Sequence, residues 1–229
     1  MAGLTVPRRF HFGEGMETVI RALRVPRGTR RKVEVVLDDH RRLRLAPVLA
    51  ARLNVGQSIS GDDLERLRRE DETEEAYQSA LGLVARRPRS ELELRRSLER
   101  RKLSADQQAA VLARLAAAGL VDDRAFAAAW VENRRAFRPR SSVGLRTELR
   151  RKGVPADSIA AALAEHDDDS AARSVLERRW ARWAALPWEE LRRQATQYLV
   201  RQGFDYETVK RAVRDRWDRA ADENREESP

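Results

Sequence analysis

The 229-residue chain combines 41% hydrophobic with 36% charged residues and carries a formal net charge of +9. Because most of the positive charge is arginine, we expect an anionic partner, either a nucleic acid or an acidic protein surface. The absence of cysteine excludes a disulfide framework, a thiol nucleophile and cysteine-ligated zinc. No apolar run approaches the ~20 residues that span a bilayer, and the N-terminus lacks a signal-peptide core, so we expect a cytoplasmic protein without membrane contact.

The first third of the chain is predicted to contain an arm and a small mixed domain. Residues 1–31 are rich in arginine and interrupted by proline and glycine, which predicts a flexible basic arm. A start site assigned too early is the alternative explanation. Within residues 32–74, apolar residues alternate around a polar turn at 38–40, which predicts a β-hairpin, and helical patterns follow it.

From about residue 75 the sequence repeats with a period of about fifty residues. The matching apolar positions are Leu98, Leu149 and Leu199, then Leu103, Val154 and Phe204, then Leu112, Leu163 and Val213. Capping boxes at Ser90 and Ser104 divide the first repeat into three helices, and the other two repeats follow its pattern. The predicted segments are repeats at 75–121, 122–168 and 169–218, followed by a disordered acidic tail at 219–229.

A three-helix repeat of this length buries little surface alone, so neighbouring repeats are expected to stack. The predicted fold is therefore mainly all-α: an elongated row of three tandem three-helix repeats with a small N-terminal cap of β-hairpin and helix. Gly153 and Gly203 suit the left-handed conformation that ends a helix, whereas the first repeat has Lys102 there.

The second helix of each repeat places arginines opposite its buried leucines. A residue two positions from a core leucine lies about 200° around the helix and faces outward. These arginines could bind phosphates or an acidic protein groove, and an ordinary solvated helix face is the alternative. The third repeat offers Arg193 and Arg201 in the same way. The candidate contact residues are Arg96, Arg100, Arg146, Arg150, Arg151 and Lys152.

Asp122 and Asp123 form the most conspicuous pair of carboxylates. Two adjacent acids could bind a metal ion, but this pair precedes Phe126 at the start of a helix, where aspartate caps exposed N–H groups. We therefore predict that Asp122, Asp123 and Phe126 maintain the junction between repeats, and we predict no metal site. The acidic run 167–169 before the third repeat receives the same interpretation.

Aromatic residues occur in two notable places. Phe137 lies in a basic loop with four nearby arginines, where it could stack on a base or simply anchor the loop. Four of the five tryptophans fall in the third repeat, and their helical spacing favours packing in the core over an exposed binding face. These four are Trp180, Trp183, Trp188 and Trp217.

Enzyme signatures are absent from the sequence. The histidines His11, His40 and His166 are scattered, and no grouping of nucleophile and base is apparent. There is no glycine-rich loop for phosphate or dinucleotide binding. We therefore predict a protein without catalytic residues or cofactors.

Three runs of the sequence are distinctive: 80–98, 119–127 (GLVDDRAFA) and 148–154 (ELRRKGV). Through these runs, residues 75–217 resemble the RecX family of regulators of the RecA recombinase. It implies a non-enzymatic protein that binds in the helical groove of a RecA nucleoprotein filament. It also implies inhibition of ATP hydrolysis, strand exchange and co-protease activity.

Two other functions fit parts of the sequence. The net charge would also suit a sequence-tolerant protein that binds single- or double-stranded DNA independently of RecA. The paired helices around Gly153 could belong to a helix-turn-helix transcription factor, although three similar repeats argue against a single recognition helix. We expect a monomer.

Overall fold

The computed structural model describes residues 17–26 and 32–226, and within them it contains four β-strands and ten α-helices. The strands are β1 (Thr18–Arg24), β2 (Val33–Leu37), β3 (Arg42–Leu45) and β4 (Ser58–Ile59). The helices are α1 (Pro47–Ala50), α2 (Gly61–Val84), α3 (Glu91–Glu99), α4 (Ala105–Ala117), α5 (Asp123–Phe137), α6 (Ser142–Arg151), α7 (Ala156–Leu163), α8 (Asp168–Glu177), α9 (Trp188–Arg201) and α10 (Tyr206–Glu226). A short 3-10 helix, Trp180–Arg182, lies between α8 and α9.

These elements form two compact units. The first unit consists of the described residues up to 83 together with 97–115, and the second consists of 84–96 together with the residues from 116 onward. The helices of the first repeat are therefore divided between the two units. The second and third repeats lie entirely within the second unit.

The first unit contains an antiparallel sheet with the strand order β3-β2-β1-β4. The predicted hairpin is present as β2 and β3, whose turn contains His40 at a φ of 67°. Alternate residues of the strands point into a core, where Ile20, Val35 and Leu37 are almost fully buried. Helix α1 and the first turn of α2 complete this core with Leu49 and Leu64.

The prediction of a flexible basic arm is wrong for Thr18–Arg24, which forms β1 in the middle of the sheet. The physical reason is that one face of the strand is buried, with Ile20 fully buried and Thr18 3% exposed. The high arginine content of this segment concealed that buried face. Strand β1 also pairs with both β2 and β4, which satisfies its backbone groups on two sides. The rest of the predicted arm, 1–16 and 27–31, lies outside the described residues.

The predicted boundary between the cap and the first repeat falls inside a single helix. Helix α2 runs without interruption across residues 74 and 75. Its middle is held by polar side chains: Asp71 accepts a hydrogen bond from the Ala46 N–H at 2.6 Å, and Glu74 pairs with Arg114 at 2.8 Å. The cap and the first repeat therefore share α2.

The second and third repeats each have their own core. In the second repeat, α5, α6 and α7 surround Leu145 and Leu149, which are fully buried. In the third repeat, α8, α9 and α10 surround a larger cluster that includes Leu191 and Leu199. Trp183 is buried in that cluster and the other three tryptophans pack against it, so the prediction that they belong to the core is confirmed.

The prediction of a disordered tail from residue 219 is wrong as far as residue 226, because α10 continues to Glu226. Ion pairs hold this part of the helix. Arg216 is largely buried and contacts Glu177 of α8 at 3.0 Å and Glu223 at 3.3 Å. Arg219 reaches the same glutamate, Glu177, at 3.3 Å. Residues 227–229 lie outside the described part of the chain.

Candidate functional site

The second helices of the three repeats are α3, α6 and α9, and the candidate contact residues lie on α3 and α6 or directly after them. Each of these helices has two buried leucines on one face, as Leu145 and Leu149 in α6, and α9 has a buried alanine between its two leucines. The arginines two positions beyond the last leucine are Arg100, Arg151 and Arg201, and all three are exposed. The stripe of buried residues thus turns equivalent arginines outward in the three repeats.

Helix α6 meets the first turn of α3 end to end. The Ser90 hydroxyl accepts a hydrogen bond from the Glu93 N–H and donates one to the carbonyl of Lys152, which follows α6. Gly153 has a φ of +79°, and a Cβ there would lie 2.5 Å from the Leu92 Cβ. The two chain segments therefore approach as closely as a glycine allows.

Helix α9 meets α6 in the same way. The Ser141 hydroxyl caps α6 by accepting from the Gly144 N–H at 3.0 Å, and it lies 3.4 Å from the carbonyl of Gln202, which follows α9. Gly203 has a φ of +94°, and a Cβ there would lie 2.7 Å from the Ser141 Oγ. The C-terminus of α9, which carries a partial negative charge, thus lies at the N-terminus of α6, which carries a partial positive charge.

Aspartates from the following repeat complete both junctions. Asp122 caps α5 by accepting from the Arg124 and Ala125 N–H groups, at 2.8 and 3.0 Å. Its neighbour Asp123 instead accepts from the Glu91 N–H at 2.9 Å, at the start of α3. Burial raises the pKa of Asp123, and the nearby charges of Glu91 and Asp122 act in the same direction.

Asp168 has the equivalent position at the second junction, although we predicted only a capping role for the acidic run 167–169 as a whole. It accepts from the Ser142 N–H at 2.6 Å and from the Ser142 hydroxyl at 3.0 Å, at the start of α6. The signal that could have identified it is its place as the first residue of α8, which matches Asp123 as the first residue of α5. Phe126 lies in the core of the second repeat, stacked on Trp130 at 5.9 Å.

Five of the six candidate contact residues are exposed on the surface. These are Arg96, Arg100, Arg146, Arg150 and Arg151. No carboxylate among the described residues pairs with any of them. Arg201 shares this property, whereas Arg193 of the third repeat is paired with Glu190 at 2.6 Å. We refer to the five arginines together with Arg201 as the second-helix arginines.

Lys152 differs from the other candidate contact residues because its charge already has a partner within the chain. Its ammonium group pairs with Glu93 at 3.0 Å and lies 4.2 Å from the centre of the Trp130 ring. Only 19% of the Lys152 side chain is exposed, and its positive charge is balanced by Glu93. Lys152 is three positions from the buried Leu149, which turns it toward the junction rather than away from it.

Glu93 forms ion pairs with both Lys152 and Arg87. The Arg87 guanidinium lies 3.0 Å from the Glu93 carboxylate. Partial burial alone would raise the pKa of Glu93. The hydrogen bonds and charges of Arg87 and Lys152 outweigh burial and lower the pKa to about 2. Glu93 is therefore ionised at neutral pH and fixes Lys152 across the first junction.

Neither a metal site nor a membrane segment is found in the described part of the chain. Among residues 17–26 and 32–226, no group of three histidine, cysteine or acidic side chains is arranged to hold a metal ion. The helices of the same ranges include none with the length and apolar character needed to cross a bilayer.

Comparison with protein families gives three matches that follow one another along the chain. The models describe the first, second and third three-helix domains of RecX, and they match residues 76–115, 122–163 and 167–213. The three-helix repeats of the sequence and of the structure therefore correspond to three known domains of one family.

Individual relatives agree with these matches. The chain is 34% identical to the regulatory protein RecX of Geobacillus kaustophilus over 182 residues, which is 78% of this chain and 68% of the relative. It is 36% identical to that of Thermobifida fusca over 138 residues, which is 59% of this chain and 75% of the relative.

Two crystal structures share the fold. One, of a regulatory protein RecX, has a TM-score of 0.70 at 20% identity and covers 86% of this chain and 99% of its own. The other, of RecX from Lactobacillus salivarius, has a TM-score of 0.56 at 17% identity and covers 64% of this chain and 97% of its own. From the three matched domains and the identity to the Geobacillus kaustophilus relative, we conclude that the chain belongs to the RecX family of regulatory proteins.

Proposed function

We propose that the protein is a non-enzymatic regulator of the RecA recombinase that binds in the helical groove of RecA nucleoprotein filaments. Its membership of a family of regulatory proteins supports this role. The bound protein bridges neighbouring RecA subunits and thereby inhibits ATP hydrolysis, strand exchange and co-protease activity. In this proposal it acts in the cytoplasm as a monomer.

The observation that carries the proposal is the repeated exposure of unpaired arginines on the second helices. Arg100, Arg151 and Arg201 have the same position in the three repeats and lack a carboxylate partner among the described residues. Other arginines of the chain do pair locally, as Arg192 does with Glu189 at 2.8 Å. Unpaired guanidinium groups keep their capacity for bidentate bonds to carboxylates or phosphates of a partner.

The arrangement of the second helices suits a partner that is itself a repeating assembly. Within the second unit, the C-terminus of α9 lies against the N-terminus of α6, and the C-terminus of α6 lies against the start of α3. Arginines on successive helices can then contact successive equivalent sites on a filament. Several such contacts, each weak on its own, add to a substantial affinity when they form together.

The test is charge reversal at Arg150 and Arg151 on α6. The double variant Arg150→Glu/Arg151→Glu should require about tenfold more protein to inhibit the ATPase activity of RecA filaments, since ~1.4 kcal/mol of lost contact energy corresponds to a factor of ten. Co-sedimentation with RecA filaments on single-stranded DNA should weaken in parallel. Helix content, measured by circular dichroism, should stay unchanged because both side chains are exposed.

A matched control separates position from net charge. Arg44 and Arg68 are also exposed and unpaired among the described residues, and Arg44→Glu/Arg68→Glu changes the net charge equally. This control should inhibit like the unchanged protein. Equal inhibition by both double variants would remove the second-helix arginines from the mechanism. Binding to naked DNA as tight as binding to the filament, near physiological salt, would favour a DNA-binding protein that acts without RecA.

A further inference from the structure

A basic groove of about 420 Å³ lies between the end of α5 and the elements α8 and α9, all within the second unit. None of the second-helix arginines, on which the RecA proposal rests, is among its lining residues. The lining residues include five arginines and no carboxylate. The five are Arg138, Arg140, Arg178, Arg179 and Arg182.

Four of these arginines keep an uncompensated charge. Arg140 contacts Glu148 at 2.9 Å, and that carboxylate is shared with Arg134 at 2.7 Å. The other four have no carboxylate partner among the described residues. Arg138 and Arg182 are exposed as well, so their guanidinium groups are free to bind an anion.

The structure holds two of the arginines in place by neutral contacts. Arg178 donates to the carbonyls of Ala136 and Phe137 at the end of α5, which leaves its positive charge intact while fixing its position. Arg179 lies over the ring of Tyr198 at 4.0 Å. Side chains that are already ordered lose less conformational entropy when a ligand binds.

An aromatic side chain stands beside these charges. Phe137 is the last residue of α5, lines the groove and is 69% exposed. The Phe137 ring has no contact with another aromatic ring or a cation among the described residues, so its face can stack on an unpaired base. We propose that this groove binds a short stretch of single-stranded nucleic acid, with Phe137 stacking on a base and Arg138 and Arg182 contacting phosphates.

The chemistry favours a single strand over two other anions. In a duplex the bases are stacked on each other, so the ring of Phe137 would find no free face. An acidic protein segment would pair with the arginines but would leave the aromatic ring without a specific partner. The proposal goes beyond regulation of RecA, because the groove binds nucleic acid without RecA.

The experiment measures binding of a fluorescently labelled oligothymidine of about 20 nucleotides in the absence of RecA. Phe137→Leu, which keeps apolar bulk but removes the π face, should weaken binding about tenfold, within the range of one lost base stack. Phe137→Tyr should restore most of the affinity. On an abasic strand of equal length, Phe137→Leu should bind like the unchanged protein.

The phosphate contacts are tested through salt dependence. Arg138→Glu/Arg182→Glu should reduce the slope of log K against log salt by about 1.4, which is about 0.7 for each of two single-strand phosphates. The charge-matched control Arg44→Glu/Arg68→Glu should leave the slope unchanged. Thermal unfolding of each variant confirms that the fold is intact.

Three results would overturn the proposal. The first is equal oligothymidine binding by Phe137→Leu and the unchanged protein. The second is an equal effect of the groove variant and the charge-matched control. The third is displacement of the oligonucleotide by polyglutamate at equal charge concentration, which would identify the groove as a site for acidic protein. Since RecA is absent, none of these results bears on the proposed regulation of the filament.

Discussion

The two junctions within the second unit have the same backbone design and different side-chain chemistry. In each, a buried serine caps one second helix and lies against the end of the next, and a glycine with positive φ permits the approach. The positions that differ face each other. Glu93 and Lys152 form an ion pair at the first junction, and Gly144 and Gln202 replace them at the second.

This replacement shows which parts of a junction the fold requires. The serine, the aspartate and the glycine serve backbone groups that every helix end leaves unsatisfied, so they are present in both junctions. The ion pair depends on space. At the second junction a Cβ on residue 144 would lie 2.9 Å from the Gln202 carbonyl oxygen, so no glutamate fits there without a shift of the backbone.

The largest effect is expected from Gly153→Ala. We expect it to lower the free energy of unfolding of the second unit by about 2 to 5 kcal/mol. Roughly 1 to 2 kcal/mol comes from the left-handed backbone and roughly 1 to 3 kcal/mol from the collision with Leu92. Urea titration followed by tryptophan fluorescence reports this unit, since all five tryptophans lie in it.

Gly119 provides the matched control for this prediction. Its φ of +67° is also left-handed, but a Cβ there would meet nothing within 4 Å apart from the glycine's own immediate stretch of backbone. Gly119→Ala should therefore lose only the backbone part, roughly 1 to 2 kcal/mol. Equal losses at residues 119 and 153 would contradict the close approach of α6 to α3.

A smaller effect is expected when the charge of the first junction is removed. Lys152→Met should lower the free energy of unfolding by about 1 to 2 kcal/mol near neutral pH, because Glu93 keeps only Arg87 as a partner and solvent screens part of the loss. The equivalent change at the neutral junction, Gln202→Met, should stay within about 0.5 kcal/mol.

The same ion pair predicts a dependence on pH. The pKa of Glu93 is lowered to about 2 from its usual 4.5, so the folded state favours the ionised carboxylate. Its contribution is complete above about pH 4.5 and declines as the pH falls toward 2. Unfolding free energies measured across this range should converge for Lys152→Met and the unchanged protein. A constant difference down to pH 2 would show that the pair does not act through the charge of Glu93.

The repeats and their core were predictable because they follow local rules. The spacing of leucines sets the buried face of each helix, and capping serines mark where helices begin, as Ser104 does with Gln107. The fold class and the outward direction of Arg100 and Arg151 followed from the same pattern. These features depend on residues that are close in the sequence.

The features that the sequence did not predict depend on distant partners. Strand β1 was hidden by its arginines, and its burial depends on pairing with β2 and β4. The inward position of Lys152 depends on Glu93, which lies 59 residues away in the chain. The basic loop around Phe137 was apparent, but its arginines form a groove only when α8 and α9 are added. Periodicity does not report such long-range contacts.

The smallest predicted change in the free energy of unfolding is in the first repeat, and it is a gain in stability where the other variants lose it. Lys102 has the position of Gly153 and Gly203, and it adopts the same left-handed conformation with a φ of 58°. Lys102→Gly should raise the free energy of unfolding by roughly 0.5 to 1 kcal/mol, because glycine avoids the strain but loses more entropy on folding. Urea titration followed by circular dichroism measures it. Lys102→Ala, which removes the charge and keeps the strain, should show no gain, whereas an equal gain would assign the effect to charge.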